Sequence, residues 1–249
     1  MRESHNPLRV LGHRGAPGAG RTENSVAAVT EAFRQGADGV EIDVWITTDD
    51  VLVCSHEAVV DSDGVARDIT TSSSRDLLGV LATLEQVLEA VQRPAGSQIV
   101  VEAKPVADIE TAVRTACTLA DVLGAAAGSA DVTVSSFDPA LLGLIRGTCA
   151  DLPVRTALLG EKAEDPIAVV RRAHAGGHDE VHLPLVGLRR TPQAIELAHS
   201  LGHEVAVWTV NGQQDLSWAT GQGADAVITD DVRGALRVLT PAEALATAA

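Results

Sequence analysis

Short β-branched apolar runs recur along the whole chain, each followed by a longer amphipathic stretch, and this alternation constrains the fold more than any other feature. Strands are expected at residues 9–12, 40–45, 51–55, 99–103, 132–135, 154–158, 180–183, 205–207 and 226–228. Most are near-continuously apolar, as parallel strands covered on both faces must be. Helices are expected at 25–34, 84–91, 109–123, 139–146, 166–173, 192–200, 213–221 and 232–239. The first puts Val26, Val29, Ala32 and Phe33 on one face, with Asn24 as its N-cap. Asp138–Pro139, Asp165–Pro166 and Thr191–Pro192 each join a capping residue to a proline at the first helical position.

Eight of the nine strands fit a repeated βα pattern. The exception, 51–55, follows 40–45 across a turn-rich link and reads as an antiparallel return. Eight βα units in 249 residues match a closed (β/α)8 TIM barrel, an α/β fold, better than an open doubly wound sheet. Residues 36–43 (GADGVEID) echo 223–230 (GADAVITD); in each, a helix ends at Gly and a buried strand begins. Residues 60–74, rich in Asp, Ser and Thr, read as an irregular short insertion after the second strand. No linker divides the chain, so residues 1–249 are expected to form a single domain, frayed at 242–249.

Within such a barrel, chemistry collects at the C-terminal ends of the strands. There the first strand meets His13, Arg14 and Gly15, and the return strand ends in His56. Glu41 and Asp43 are two residues apart on the second strand, so both side chains share one face, while Val40, Ile42 and Val44 point to the helical layer. Glu102 and Lys104 repeat that spacing on the next βα strand. Like carboxylates buried side by side disfavour each other's ionised form unless a cation or donors compensate. Three hard oxygen donors from two strands suit Mg2+ or Ca2+ better than zinc. The competing reading is that Asp43 caps a turn while Glu41 pairs with Arg14 or Lys104.

His13 and His56 at one barrel mouth suit acid/base chemistry on a phosphate ester, and Arg14 and Lys104 suit binding of its oxygens. Trp208, also at a strand end, is a candidate ligand wall, whereas Trp45 and Trp218 read as packing residues. His174, His178 and His182 are spaced by four, but Gly176–Gly177 interrupts their helix and His182 falls in the next strand, so they read as no metal set. The Gly-rich stretch 12–20 lacks both the Walker Lys-Ser/Thr and the Rossmann spacing. Ser55, Ser135 and Ser136 lack the context of a nucleophile elbow.

Composition narrows the partners. Aromatics are 2% of the chain, with three Trp, two Phe and no Tyr, so the core is aliphatic and base-stacking platforms are scarce. A net charge of −15 repels nucleic acid and anionic membranes. With no apolar run of about 18 residues, membrane insertion is not expected. The polar start, 1–7, has no signal-peptide core, which reads as cytoplasmic. Cys54, Cys117 and Cys149 make no evident disulfide framework and read as buried inert thiols.

The sequence resembles the glycerophosphodiester phosphodiesterase family. The resemblance runs through Gly12-His13-Arg14-Gly15, Thr22-Glu23-Asn24-Ser25, the GADGVEIDV block at 36–44, His56, Val101-Glu102-Ala103-Lys104, Ser135-Ser136-Phe137, Val207-Trp208-Thr209-Val210-Asn211 and Ile228-Thr229-Asp230, in family order. It implies a metal-dependent barrel cleaving glycerophosphodiesters, small-molecule substrates, to glycerol 3-phosphate and an alcohol. On that pattern Glu41, Asp43 and Glu102 ligate one divalent cation, His13 and His56 act as general acid and base, and Arg14 and Lys104 hold the phosphate. Glu23 helps set the site, and Trp208 lines the glycerol or alcohol side. The chain departs from the pattern at Asp50, at Glu57 and over 58–64, which bears on substrate choice more than on chemistry. Two rivals share the scaffold: a sphingomyelinase D-like phosphodiesterase of phospholipase D type, and a non-catalytic phosphate-binding barrel. The lack of a leader and of a disulfide pair weighs against the first, and the retained His pair against the second.

Overall fold

The computed structural model describes residues 7–18, 20–77, 79–90, 94–126 and 131–239. The expected frayed tail, Val91 of the second helix, Ala19 of the Gly-rich stretch and residues 1–6 lie outside them. In chain order the elements are β1 (Arg9–His13), α1 (Val26–Arg34), β2 (Gly39–Ile46), β3 (Leu52–Cys54), β4 (Val59–Ser62), β5 (Val65–Asp68), α2 (Leu84–Ala90), β6 (Gln98–Ala103), α3 (Ile109–Ala125), β7 (Asp131–Ser136), α4 (Pro139–Thr148), β8 (Val154–Leu159), α5 (Pro166–Gly176), β9 (Glu180–Pro184), α6 (Leu185–Leu188), α7 (Gln193–Ser200), β10 (Glu204–Trp208), α8 (Gln213–Gln222), β11 (Ala226–Thr229) and α9 (Val232–Leu239). Each expected strand and helix is present.

Strands β1, β2, β6, β7, β8, β9, β10 and β11 pair in parallel in that order, and β11 returns to β1. That last pairing closes the (β/α)8 barrel, which an open sheet could not do. β3 runs antiparallel to β2, opposing Val53 to Trp45 and Cys54 to Val44. Alternation along each strand sorts the side chains. Val40, Ile42, Val44, Val181 and Leu183 pack outward under the helices, while Leu11, Val100, Ala206, Ala226 and Ile228 form a smaller cluster inside the barrel. Below that cluster, polar groups plug the N-terminal end: Arg9 donates to Gln98 at 3.0 Å, and Arg155 pairs with Glu204 at 3.1 Å and Glu180 at 3.0 Å.

The repeated Asp at strand entry has a common task. Asp38 accepts from the Val10 amide at 2.8 Å, Asp179 from Thr156 at 2.8 Å and Asp225 from Val205 at 2.7 Å. Each carboxylate thus caps an amide of the preceding barrel strand, which explains the echo of residues 36–43 in 223–230.

Several local expectations are corrected. The segment 60–74 is ordered: β4 and β5 form a hairpin whose two-residue loop, Asp63–Gly64, has positive φ at both positions (55° and 76°). Ser25, not Asn24, caps α1, accepting from the Ala28 amide at 3.1 Å. Asp138 and Asp165 cap α4 and α5 as expected. Thr191 makes no side-chain cap, because the chain reaches α7 directly from α6 and Pro192 is already helical. Cys117 is exposed, lying just off the buried stripe of Ala112, Thr115, Ala116 and Leu119; Cys54 and Cys149 are buried.

Candidate active site

Strand register assembles the site at the C-terminal mouth. His13 sits opposite Glu41 across β1–β2, Asp43 opposite Glu102 across β2–β6, and Glu102 opposite Ser135 across β6–β7. One carboxylate oxygen from each of Glu41, Asp43 and Glu102 lies within 4.8 Å of the other two, and all three residues are buried. Lys104 Nζ bonds Asp43 Oδ1 and Glu102 Oε1, each at 2.6 Å. Glu41 accepts the Arg14 backbone N–H at 3.1 Å, and Arg14 Nε pairs with Asp43 Oδ2 at 3.3 Å. Asp43 therefore caps no turn; it lies in the body of β2 and is the carboxylate most closely paired.

Two cations face three acids here, and the imbalance is visible in the protonation equilibria. Burial, with Asp43 and Glu102 alongside, pushes Glu41 well above the usual carboxylate range. Burial and Asp43 likewise push Glu102 up to about 7. Burial works against Asp43 too, but Lys104, Asn24 and Arg14 hold it below its ordinary value. For Lys104 and Arg14, burial is outweighed by the surrounding carboxylates, and both stay firmly protonated. A convergent set of hard oxygen donors with uncompensated negative charge fits a divalent cation in donor chemistry and charge.

Both imidazoles are oriented by carboxylates. His13 Nδ1 bonds Asp230 Oδ1 at 2.6 Å, and His56 Nδ1 bonds Glu57 Oε1 at 2.8 Å. Asn211 braces the first pair, donating to Asp230 Oδ2 at 2.6 Å and accepting the Asp230 amide at 2.9 Å. Trp45, read from sequence as packing alone, also donates to the His56 carbonyl at 3.4 Å. Glu23 receives Arg14 Nη1 at 3.0 Å and so aims the guanidinium. The turn between β1 and α1 needs Gly15: its φ is +84°, and a Cβ there would lie 2.5 Å from the Ala28 carbonyl carbon.

His13, Arg14, Glu41, His56, Glu102 and Lys104 line one cavity of about 290 Å³. Trp208 lines it too, edge-to-face with Phe137 at 5.9 Å. Asn24, expected only as a cap, is buried and holds Asp43 by two hydrogen bonds. Asp230, Asn211 and Glu57 were not assigned roles from sequence; their signal was position in the matching blocks or next to His56. Of the three histidines spaced by four, His174 lies on α5, His178 follows it, and His182 on β9 alone reaches the cavity.

The family model described as the glycerophosphoryl diester phosphodiesterase family matches residues 13–233. A probable glycerophosphodiester phosphodiesterase 1 of Mycobacterium tuberculosis is 31% identical over 242 residues, covering 86% of each chain. A glycerophosphodiester phosphodiesterase structure from Parabacteroides distasonis superposes with a TM-score of 0.80 at 22% identity, over 95% of this chain and 98% of that one. An Oleispira antarctica phosphodiesterase, solved with the product sn-glycerol-3-phosphate, gives a TM-score of 0.79 at 19% identity, over 94% and 97%.

Proposed function

This chain belongs to the glycerophosphoryl diester phosphodiesterase family and is an enzyme of that class; from that premise we propose that it hydrolyses glycerophosphodiesters to glycerol 3-phosphate and an alcohol, as one domain, in the cytoplasm. Support comes above all from one convergence: Glu41, Asp43 and Glu102 meet within 4.8 Å, and Glu41 and Glu102 line the same cavity as His13 and His56. The Oleispira relative's product adds chemical weight to the choice of substrate.

In this reading Glu41, Asp43 and Glu102 hold one Mg2+ or Ca2+. When bound, such an ion supplies positive charge to the non-bridging phosphate oxygens and acidifies a nearby hydroxyl. Lys104 has a third N–H beyond the two it gives to Asp43 and Glu102. Arg14 commits Nη1 to Glu23 and keeps its Nη2 donors. Those donors bind the phosphate and stabilise charge that grows on its oxygens in the transition state. One imidazole of the pair takes the proton from the glycerol hydroxyl that attacks phosphorus, and the other gives a proton to the departing alkoxide oxygen. Water then opens the cyclic phosphate with the two roles exchanged. Asp230 and Glu57 accept the Nδ1–H of His13 and His56, which leaves each Nε2 free for proton transfer. Trp208 forms the apolar wall against the carbon skeleton.

The test is release of glycerol 3-phosphate from glycerophosphocholine by purified protein with Mg2+ or Ca2+. EDTA should abolish it, and His13→Ala should abolish turnover while circular dichroism and melting temperature stay as in the wild type. Full activity in either case would overturn the assignment.

A further inference from the structure

The cavity floor carries two polar atoms that the phosphodiesterase chemistry leaves unused. Ser135 on β7 and His182 on β9 both line the cavity, and both are buried, at 1% and 0% exposure. Their neighbours in sequence, Val134, Val181 and Leu183, pack outward under the helices, so Ser135 and His182 face the barrel interior. Among the described residues, neither Ser135 Oγ nor His182 Nδ1 has a hydrogen-bond partner. Buried polar atoms are nearly always paired, and two orphans on the floor of one cavity call for a ligand that pairs them.

The other side of the His182 ring is fully committed. Its Nε2 bonds Glu180 Oε2 at 3.0 Å. Glu180 Oε1 in turn receives Thr133 Oγ1 at 2.7 Å, Gln98 Nε2 at 3.2 Å and Arg155 at 3.0 Å. That network fixes the ring and turns Nε2 toward the Glu180 carboxylate, and in the Nε2–H tautomer Nδ1 is an acceptor. The Ser135 hydroxyl can rotate to donate. An acceptor and a donor on one floor match an alcohol O–H, which must both give and receive a hydrogen bond.

We infer that Ser135 Oγ and His182 Nδ1 bind the terminal hydroxyl of the substrate's glycerol and make this the end that sets specificity. The inference rests on the phosphodiesterase reading above. The layout of the cavity decides which end of the diester lies deep. Its floor is rigid and buried, and Trp208 is tied to it by an Nε1 bond to the His182 carbonyl at 3.3 Å. Its rim is formed by Glu161 and Lys162, which are exposed. A fixed floor suits the constant glycerol, and an open rim suits the alcohol that varies between substrates.

The experiment compares choline release from glycerophosphocholine and from 2-hydroxypropyl phosphocholine, which lacks only the terminal hydroxyl. Wild type should favour the first by at least about tenfold in kcat/KM, the order of one well-placed hydrogen bond. Ser135→Ala, which removes one hydroxyl and little volume, should bring that ratio down severalfold, mainly through KM for glycerophosphocholine. The two amide variants of His182 separate recognition from structure. His182→Asn keeps a polar atom where Nδ1 lies and loses the Glu180 bond, so the ratio should persist while the melting temperature falls. His182→Gln keeps the Glu180 bond and loses the Nδ1 group, so the melting temperature should hold while the ratio collapses toward one. A ratio that survives both Ser135→Ala and His182→Gln, or that tracks the melting temperature, overturns the inference. A wild-type ratio near one overturns it while leaving the phosphodiesterase reading intact. Release from neither substrate overturns both.

Discussion

Asn24 offers the sharpest test of how this site is held. Its Nδ2 donates to Asp43 Oδ2 at 2.8 Å and its Oδ1 accepts the Asp43 amide at 3.0 Å, both bonds buried. Its backbone also has φ of 57°, a conformation Asn tolerates better than most residues. Asn24→Ala removes a bond to a charged group, worth about 1.5–3 kcal/mol, and strands a buried N–H, which costs about 1–3 kcal/mol. The left-handed backbone adds about 1 kcal/mol. The expected loss is about 4 kcal/mol, with some relief if water enters. At roughly 2–4 °C per kcal/mol for a chain of this size, the melting temperature should fall by about 10–15 °C. Urea unfolding followed by Trp fluorescence reads the same quantity. Asn24→Gly relieves the backbone cost but restores neither bond, so it should recover only about 1 kcal/mol. With Asp43 free to turn, kcat/KM should fall about 10- to 100-fold in both variants. An Asn24→Ala protein within about 1 kcal/mol of wild type would refute this account, as would a Gly variant no more stable than the Ala variant.

Three further predictions follow from other contacts. Asp230→Asn takes the carboxylate from His13, so kcat at neutral pH should drop about 10- to 100-fold with KM little changed; a wild-type kcat would show that Asp230 does not orient the imidazole. Gly15→Ala forces a Cβ against Ala28 at φ of +84°, and calorimetry should show a loss of about 3 kcal/mol from strain and overpacking together. Burial alone would raise Glu180, but the His182 bond, the charge of Arg155 and the Thr133 bond bring it down to about 2. A depressed acid contributes stability that is present above its unfolded value, about 4.3, and lost as pH falls toward 2, here about 3 kcal/mol. Acid unfolding of Glu180→Gln should therefore be flatter than wild type between pH 5 and 2, and parallel curves would count against it.

Much of the site was legible because it depends on local periodicity. A spacing of two on a strand puts Glu41 with Asp43, and Glu102 with Lys104, on one face wherever the strand lies. The hairpin was missed although Asp63–Gly64 is a strong turn signal, because its flanks are too polar to read as strands. Asn24 and Ser25 are adjacent and equally good caps in sequence; which one caps α1 depends on Asp43, 19 residues away, claiming the other. Cys117 was misplaced by a single step around a helix, where 100° separates a buried position from an exposed one.

The chain's own pattern determined the number and type of barrel elements, the parallel arrangement and the three carboxylates at the strand ends, since each follows from spacing along one segment. Closure decided the rest. Only when β11 pairs with β1 does Asp230 reach His13, 217 residues away in sequence. Only across the closed barrel do Ser135 and His182 meet the acidic cluster in one cavity. Such partners lie far apart along the chain and are joined by the register of other strands, so no window of sequence contains the information that pairs them.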